Sequence, residues 1–147
     1  GPPNKLLELA LIMARRQGMQ FVGAAGNTGK EELRYPAAYE GVLGVTAVDA
    51  RERLYRRATR GAHVDIAAPG VDLRAPAPGG GARYVSGTSF AVPFAAAALL
   101  LERAYRPDPE EAGAALLQRV RDLGPPGPDP SFGHGLLQSP GCGAREN

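Results

Sequence analysis

Residues 86–93 of this 147-residue chain read Ser86-Gly87-Thr88-Ser89-Phe90-Ala91-Val92-Pro93. The apolar, Ala-rich residues that follow predict a long helix from about Thr88 to Tyr105, so Ser89 lies in its first turn. A first helical turn has free backbone N–H groups and the positive end of the helix dipole, which favour negative charge developing on an oxygen. Taken alone, the segment also fits a plain helix cap, because Ser and Thr are common capping residues.

Two further residues constrain this helix start. Gly87 lets backbone or substrate approach closely. Pro93 lacks the N–H that would have bonded the carbonyl of Ser89, so that carbonyl is left free or the helix is locally strained. The first half of the helix is nearly all small and apolar, and we expect it to be buried on most sides.

Near the start of the chain a helical pattern is followed by a short loop and a buried strand, a succession that is typical of an α/β fold. A first helix has its cap at Asn4 and its end before Gly18, and a last one begins at Asp108-Pro109 and ends near Gly124. Short apolar runs between turn residues predict buried strands. The predicted strands are Phe21 to Ala25, Val42 to Val48 and Val64 to Ala67, with a further short segment from Arg83 to Ser86.

Several motifs in this order resemble the subtilisin-like serine proteases, and the resemblance covers about residues 1 to 138. The run around Ser89 is similar to the family's Ser-Gly-Thr-Ser-x-Ala-x-Pro signature. The other matching segments are Phe21 to Asn27, Tyr35-Pro36-Ala37 with Val42 to Val48, Val64 to Gly70, and Phe132-Gly133-His134-Gly135.

The resemblance implies part of a three-layer fold with a mostly parallel sheet flanked by helices, over residues 1–138, followed by a tail, 139–147. It implies that Ser89 is the acylated nucleophile and that the side chain of Asn27 completes the oxyanion hole together with the Ser89 backbone N–H. It further implies that Ala24 and Gly26 line a substrate pocket and that Gly1 ends another substrate-lining strand.

The family's chain order is Asp, then His, then Ser, so both proton-handling residues are expected upstream of Gly1. His63 and His134 match no histidine motif of the family, and we interpret Asp65 and Asp72 as structural. A serine needs an adjacent base to attack at neutral pH, so this chain alone should be inactive or nearly so. Without the upstream half, the helix after Ser89 should also expose apolar surface and make isolated folding marginal.

Other enzyme classes fit less well. The segment from Gly23 to Lys30 fails the phosphate-loop pattern, because five residues separate Gly23 from Gly29 and Glu31 follows Lys30. Ser89 fails the Gly-x-Ser-x-Gly elbow of lipases, since Ala91 stands two residues after it. The serious alternative is a non-catalytic subtilisin-like module that binds or serves as a degenerate partner. Phe90 and Phe94 depart from the family's usual Met and His, which indicates a divergent branch.

Composition limits the remaining partners. The net charge of +2 is uninformative, and the scattered arginines and low aromatic content, 6%, argue against a nucleic-acid partner. We interpret the arginines between Arg51 and Arg60 as a solvated loop. Cys142 is the single cysteine, so neither an internal disulfide nor a cysteine zinc site can form. No apolar run approaches the 20 or so residues of a membrane span.

Polypeptides are the expected substrates, the missing N-terminal half is the expected partner, and no cofactor is expected. Family habit implies secretion or a periplasmic location, and makes structural calcium possible without an assignable site.

Overall fold

A computed structural model describes residues 1–138 of the chain, so the predicted tail at 139–147 and Cys142 lie outside the described residues. This part of the chain contains three helices and seven strands. They are α1 (Lys5–Arg15), β1 (Phe21–Ala24), β2 (Val42–Val48), β3 (Ile66–Pro69), β4 (Leu73–Pro76), β5 (Ala82–Val85), α2 (Thr88–Tyr105), α3 (Pro109–Gln118), β6 (Val120–Arg121) and β7 (Leu136–Leu137).

The main sheet is mostly parallel, as predicted. Its order is β1-β2-β3-β7-β6, with β1, β2, β3 and β7 parallel and β6 antiparallel to β7. The register pairs Ala24 with Val45 and Val45 with Ile66, so the strands are staggered along the sheet. Parallel strands are buried on both faces, which explains why β2 and β3 read as continuous apolar runs.

Helices cover both faces of this sheet. Val45, Ala47, Ile66 and Ala68 pack with residues of α2 and α3 in one apolar cluster. On the other face, Leu11 of α1 packs with a second cluster that contains Val42, Tyr39 and Phe21. Neighbouring residues of a strand point to opposite faces, so the two clusters lie on opposite sides. The fold is therefore the expected three-layer α/β arrangement.

Within residues 1–138 the first half of α2 is not buried on most sides, and the helix exposes apolar surface, as expected of this chain without its upstream half. One stripe is buried, at helical spacing: Thr88, Ala91, Ala95, Leu99 and Glu102. Phe94 is 45% exposed and Leu100 is 71% exposed on the other sides. When small apolar residues occur on every side of a helix, the sequence does not show which side packs against the rest of the protein. Within residues 1–138 the sheet and α3 cover only one face of α2. None of the helices in this part of the chain is long and apolar enough to cross a membrane.

The last helix ends earlier than the sequence indicates. Its start is confirmed, because the Asp108 carboxylate accepts hydrogen bonds from the N–H groups of Glu110 and Glu111. The predicted end near Gly124 is wrong, since α3 ends at Gln118 and Val120 already pairs with Leu137 in the sheet. The buried Glu102 holds this end of the fold, because its carboxylate pairs with Arg106 at 2.7 Å and with Arg119 at 2.6 Å.

Three of the strands, β4, β6 and β7, are not predicted by the sequence patterns. The segment near Arg83 is β5, and it pairs with the unpredicted β4 in a separate antiparallel hairpin. Two prolines and three consecutive glycines between Pro76 and Gly81 hide the strand pattern, although prolines are tolerated in such edge strands. The third predicted strand, Val64 to Ala67, is observed two residues later, at Ile66–Pro69. The carboxylate of Asp65, just before it, accepts a hydrogen bond from the N–H of Gly44 in β2.

A glycine contact sets the position of the N-terminus of α2 on the sheet. Gly70 follows β3, and its carbonyl accepts a hydrogen bond of 2.8 Å from the N–H of Gly87. A Cβ atom on Gly70 would lie 2.6 Å from the Cβ of Ala47 and 3.0 Å from the carbonyl oxygen of Gly87. The absence of a side chain therefore lets the residue before Thr88 approach the end of β3.

We predict that Gly70→Ala lowers the thermal midpoint of the complete protein, because overpacking at such a contact costs about 1–3 kcal/mol. The matched control is Gly113→Ala in α3, where the new methyl would meet only the Gln20 side chain, at 3.8 Å. Alanine is the better helix former by about 0.5–1 kcal/mol, so the control should raise the midpoint or leave it unchanged. Equal midpoints for the two variants, measured by calorimetry, would contradict the account of the Gly70 contact.

Candidate functional site

Asn27 stands just beyond the end of β1. The N–H of Ala25 still bonds to the carbonyl of Val45 at 2.9 Å, and the chain then turns at Gly26, whose φ is +112°. A side chain there would be strained, and its Cβ would lie 2.7 Å from the hydroxyl of Thr59. Glycine is therefore required where the strand stops and Asn27 leaves the sheet.

Thr88 joins Asn27 to the start of α2. The amide oxygen of Asn27 accepts a hydrogen bond of 3.0 Å from the backbone N–H of Thr88 and one of 3.1 Å from its hydroxyl. The Thr88 hydroxyl in turn accepts a bond of 3.2 Å from the N–H of Gly26. Thr88 is fully buried, so these contacts are shielded from competing water.

This contact fixes which way the Asn27 amide faces. A backbone N–H can only donate, so the atom of Asn27 opposite it must be the oxygen, and the NH2 group lies on the other side. Among residues 1–138, no hydrogen bond uses that NH2 group or the backbone N–H of Ser89, which is in the first helical turn. Two donors near the start of α2 thus remain available to a ligand oxygen.

Ser89 itself is exposed, and its hydroxyl has no hydrogen-bond partner within the described part of the chain. The nearby Ser86 differs, because its hydroxyl donates to the Asp72 carboxylate at 3.2 Å and accepts from the Asp72 N–H at 2.9 Å. The N-cap of α2 is Gly87, with no side-chain cap. Ser89 and Thr88 therefore do not cap this helix, so the alternative interpretation of the segment as a plain helix cap is wrong.

A second threonine holds the loop on the other side of Asn27. The N–H of Thr59 donates to the Gly26 carbonyl at 2.8 Å, and the Thr59 hydroxyl accepts from the Thr28 N–H at 3.1 Å. The residues before and after Asn27 are thus both bonded to buried groups. The position of the amide is determined by these contacts rather than by solvent-exposed loop structure.

The expected substrate-lining residues lie close to this arrangement. Ala24 ends β1, and Gly26 separates Thr59 from Thr88. Gly1 pairs with Tyr35, whose N–H bonds to the Gly1 carbonyl at 3.1 Å, while the Gly1 ammonium donates to the Tyr35 carbonyl at 2.7 Å. The neighbouring Arg34 has a side-chain carbon 3.2 Å from where a Cβ of Gly26 would stand. Ala24 and Gly26 thus lie directly before Asn27 in the chain, and Gly1 is bonded to the residue that follows Arg34.

Neither histidine is placed as a base for Ser89. His63 is buried, and its Nε2 lies 2.9 Å from the carbonyl oxygen of Ala25, so Nε2 carries the proton and donates. The exposed His134 uses its backbone N–H to bond the Asp65 carbonyl at 2.7 Å. Among residues 1–138 no hydrogen bond joins either imidazole to Ser89.

Asp65 and Asp72 have structural contacts. The Asp65 carboxylate accepts a hydrogen bond of 2.6 Å from the N–H of Gly44. Burial raises the pKa of Asp65 above its ordinary value, although the Gly44 N–H and the charges of His134 and His63 oppose that shift. Within the described residues, no group of three or more His, Cys, Asp or Glu side chains is arranged to hold a metal ion.

The sequence points to Ser89 and Asn27 as candidate residues, but it does not indicate what joins them. By sequence alone Thr88 fits a capping residue, and Thr59 has no assigned role. The available signal was their residue type, since a threonine that the fold buries needs hydrogen-bond partners for its hydroxyl. Only the fold shows that both partners lie around Asn27.

A family model described as the subtilase family matches residues 3–135. Among curated relatives, the thermostable alkaline protease of Halalkalibacterium halodurans is 38% identical over 92% of this chain and 37% of its own length. The minor extracellular protease Epr of Bacillus subtilis is also 38% identical, over 92% of this chain and 21% of its own length. The chain thus spans well under half the length of these relatives.

Solved structures give the same result for the fold. The prenylagaramide maturation protease PagA superposes with a TM-score of 0.80 at 30% identity, over 94% of this chain and 54% of that one. The patellamide maturation protease PatA superposes with a TM-score of 0.78 at 32% identity, again over 94% of this chain.

We predict that Thr88→Val speeds amide hydrogen exchange at Gly26 and lowers the free energy of unfolding by about 1–3 kcal/mol, because a buried N–H loses its acceptor. Thr88→Ser keeps the hydroxyl and should leave the Gly26 exchange rate near that of the wild type. Exchange measured by NMR on the complete protein separates the two variants. Identical rates at Gly26 in the Val and Ser variants would show that the hydroxyl does not hold this loop.

Proposed function

Because the chain belongs to the subtilase family, we propose that the complete protein is a serine endopeptidase whose nucleophile is Ser89. The observation that carries the proposal is the pair of unused donors at the start of α2, the Asn27 NH2 group and the Ser89 N–H, next to an exposed serine hydroxyl. Preorganised donors of this kind stabilise the oxyanion of acyl transfer.

The proposed reaction proceeds in two halves. The Ser89 oxygen attacks the carbonyl carbon of a peptide bond while a base takes the hydroxyl proton, and the carbonyl oxygen becomes an oxyanion held by the two donors. The intermediate then collapses, the C–N bond breaks, and the base returns its proton to the departing amine. Water repeats the sequence on the acyl-enzyme and releases the acid product.

We propose that the base and its orienting carboxylate come from chain beyond these 147 residues. The relatives are longer, and neither His63 nor His134 bonds to Ser89 among residues 1–138. In the described sheet β1 lies at the edge, and Phe90 and Phe94 of α2 are 39% and 45% exposed. An N-terminal half that pairs with β1 and covers these phenylalanines would bring the missing residues to Ser89. Polypeptides that lie over Ala24, Gly26 and Gly1 are the proposed substrates.

The proposed reaction uses no cofactor. A structural calcium ion is a possibility that the resemblance raises, and residues 1–138 offer no cluster of three or more acidic, histidine or cysteine side chains for it. One relative is named an extracellular protease, which supports the proposal that this protein is exported.

We predict that a fluorophosphonate probe labels the complete protein on Ser89 and that Ser89→Ala abolishes both labelling and peptide hydrolysis. Asn27→Ala should lower kcat by about 10²–10³ with little change in KM, a range known from subtilisin itself rather than derived from this structure. The measurements are intact-mass spectrometry of the labelled protein and steady-state hydrolysis of a generic peptide.

Two controls define the result. Residues 1–147 alone should hydrolyse nothing above the rate of Ser89→Ala, because the base is absent. Hydrolysis by this piece alone that Ser89→Ala removes would show that the base lies within it. A complete protein that binds polypeptides but is neither labelled nor active would instead support the alternative, a non-catalytic subtilisin-like module.

A further inference from the structure

The loop between β2 and β3 carries an unusual density of positive charge. We define the arginine loop as residues 49–61. Its arginines at positions 56, 57 and 60 are all exposed. The ion pairs found among residues 1–138 include none of these three, whereas Arg53 of the same loop pairs with Asp49 at 2.7 Å. Arg51 is likewise exposed without an ion pair, so four of the five guanidinium groups of the loop face solvent without a carboxylate partner in the described structure.

The arginine loop is bonded to the segment that carries Asn27. The N–H of Gly29 donates to the carbonyl of Arg57 at 2.8 Å, and the N–H of Arg60 donates to the carbonyl of Lys30 at 2.9 Å. Gly29 also lies close to Arg57, since a Cβ there would be 3.8 Å from the Arg57 Cα. Because two residues of chain span at most about 7 Å, the Cα of Arg57 lies within roughly 12 Å of that of Asn27.

The arginine loop is also attached to the main sheet and its apolar cluster through Tyr55. The N–H of Tyr55 bonds to the carbonyl of Ala47 at 2.8 Å, and Tyr55 packs against the main apolar cluster. On the other side of the two arginines, Ala58 and Thr59 are buried. Arg56 and Arg57 therefore project from a backbone fixed on both sides, so their charges stay near the candidate site.

Nearby carboxylates leave this charge largely uncompensated. Glu32 pairs with Arg34. Glu52 pairs with Arg121 of β6, which is the edge strand at the other end of the main sheet from β1. Glu31 is the remaining carboxylate of the adjoining segment, and Lys30 beside it adds a further exposed cation. Within the described residues, Arg56, Arg57, Arg60 and Lys30 thus have no ion-pair partner, and Glu31 is the carboxylate without one in the same two segments. Asp72 is a further exposed carboxylate without an ion pair, and it is hydrogen-bonded to Ser86, three residues before Ser89.

We propose that Arg56 and Arg57 make this protein select polypeptide substrates that carry Asp or Glu within a few residues of the bond to be cleaved. The inference rests on the proposed endopeptidase function and names its substrate class. Exposed charges near a site attract ligands of opposite sign and raise their local concentration. A polypeptide is favoured over a nucleic acid because Tyr55, the aromatic residue of the loop, is half-buried against the core and offers no exposed face for base stacking.

The test uses the complete protein and a series of matched peptides in which one position, before or after the cleaved bond, is Asp or Asn. The readout is the ratio of kcat/KM for the Asp peptide to that for the Asn peptide. For the wild type we expect a ratio above one at one or more positions. The ratio should fall about two- to five-fold in the Arg57→Glu variant, and further in the double variant that combines Arg56→Glu with Arg57→Glu. Raising the ionic strength from 0.05 to 0.5 M should reduce the wild-type ratio.

Arg16→Glu is the matched control, because Arg16 is exposed, has no ion pair among residues 1–138, and ends α1 before β1 begins. The Asp-to-Asn ratio should be unchanged in that variant. An equal fall in Arg16→Glu and Arg57→Glu would show an effect of net charge alone and overturn the proposal. A wild-type ratio of one at every position would overturn it as well.

A binding measurement separates this proposal from the proposed function. The complete protein with Ser89→Ala is titrated with fluorescent Asp and Asn peptides, and the Kd ratio is compared with and without Arg57→Glu. A ratio that depends on Arg57 supports acidic recognition even where no hydrolysis occurs, in which case only the endopeptidase proposal fails. A fluorescent single-stranded oligonucleotide that displaces the Asp peptide at lower concentration than unlabelled peptide would overturn the substrate class.

Discussion

The hydrogen bonds between Thr88 and the amide oxygen of Asn27 are the contact on which the candidate site depends. They join the end of β1 to the start of α2, two elements that are 61 residues apart in sequence. Each bond contributes only about 0.5–1.5 kcal/mol to stability, yet together they decide which end of the amide faces outward. With the oxygen occupied by Thr88, the NH2 group faces away from Thr88 and, like the N–H of Ser89, has no partner among residues 1–138. The same threonine accepts from Gly26, so the turn, the amide and the helix start are positioned as one unit.

Much of the fold follows from local patterns. The Asn4 and Asp108 caps, the apolar run of β2 and the long helix from Thr88 were all predicted and are confirmed. These features depend on periodicity and on capping chemistry, which a sequence displays directly. The covered face of α2 and the end of α3 could not be predicted, because they depend on which neighbours pack there. The hairpin of β4 and β5 was hidden by its prolines and glycines.

The candidate site divides in the same way. Ser89 and Asn27 were identified from the motif resemblance, and their roles stay a proposal. The roles of Thr88 and Thr59 depend on contacts between residues 31 to 62 positions apart, so a linear motif does not reveal them. The arginines between Arg51 and Arg60 read as a solvated loop, and they are exposed; the structure adds that Arg57 is bonded to the segment that carries Asn27. A cluster of charged residues in a sequence can be given a function only when the structure shows which residues lie next to it.

In the proposed reaction the Asn27 NH2 group and the Ser89 N–H together receive the developing oxyanion. The most direct measurement is a crystal structure of the complete protein with a peptidyl boronic acid or phosphonate bound covalently to Ser89. The account predicts an adduct oxygen about 2.7–3.1 Å from both Asn27 Nδ2 and the Ser89 nitrogen, with the Asn27 oxygen still bonded to Thr88. An adduct oxygen directed to solvent, or an Asn27 amide turned with its oxygen toward the adduct, would contradict it.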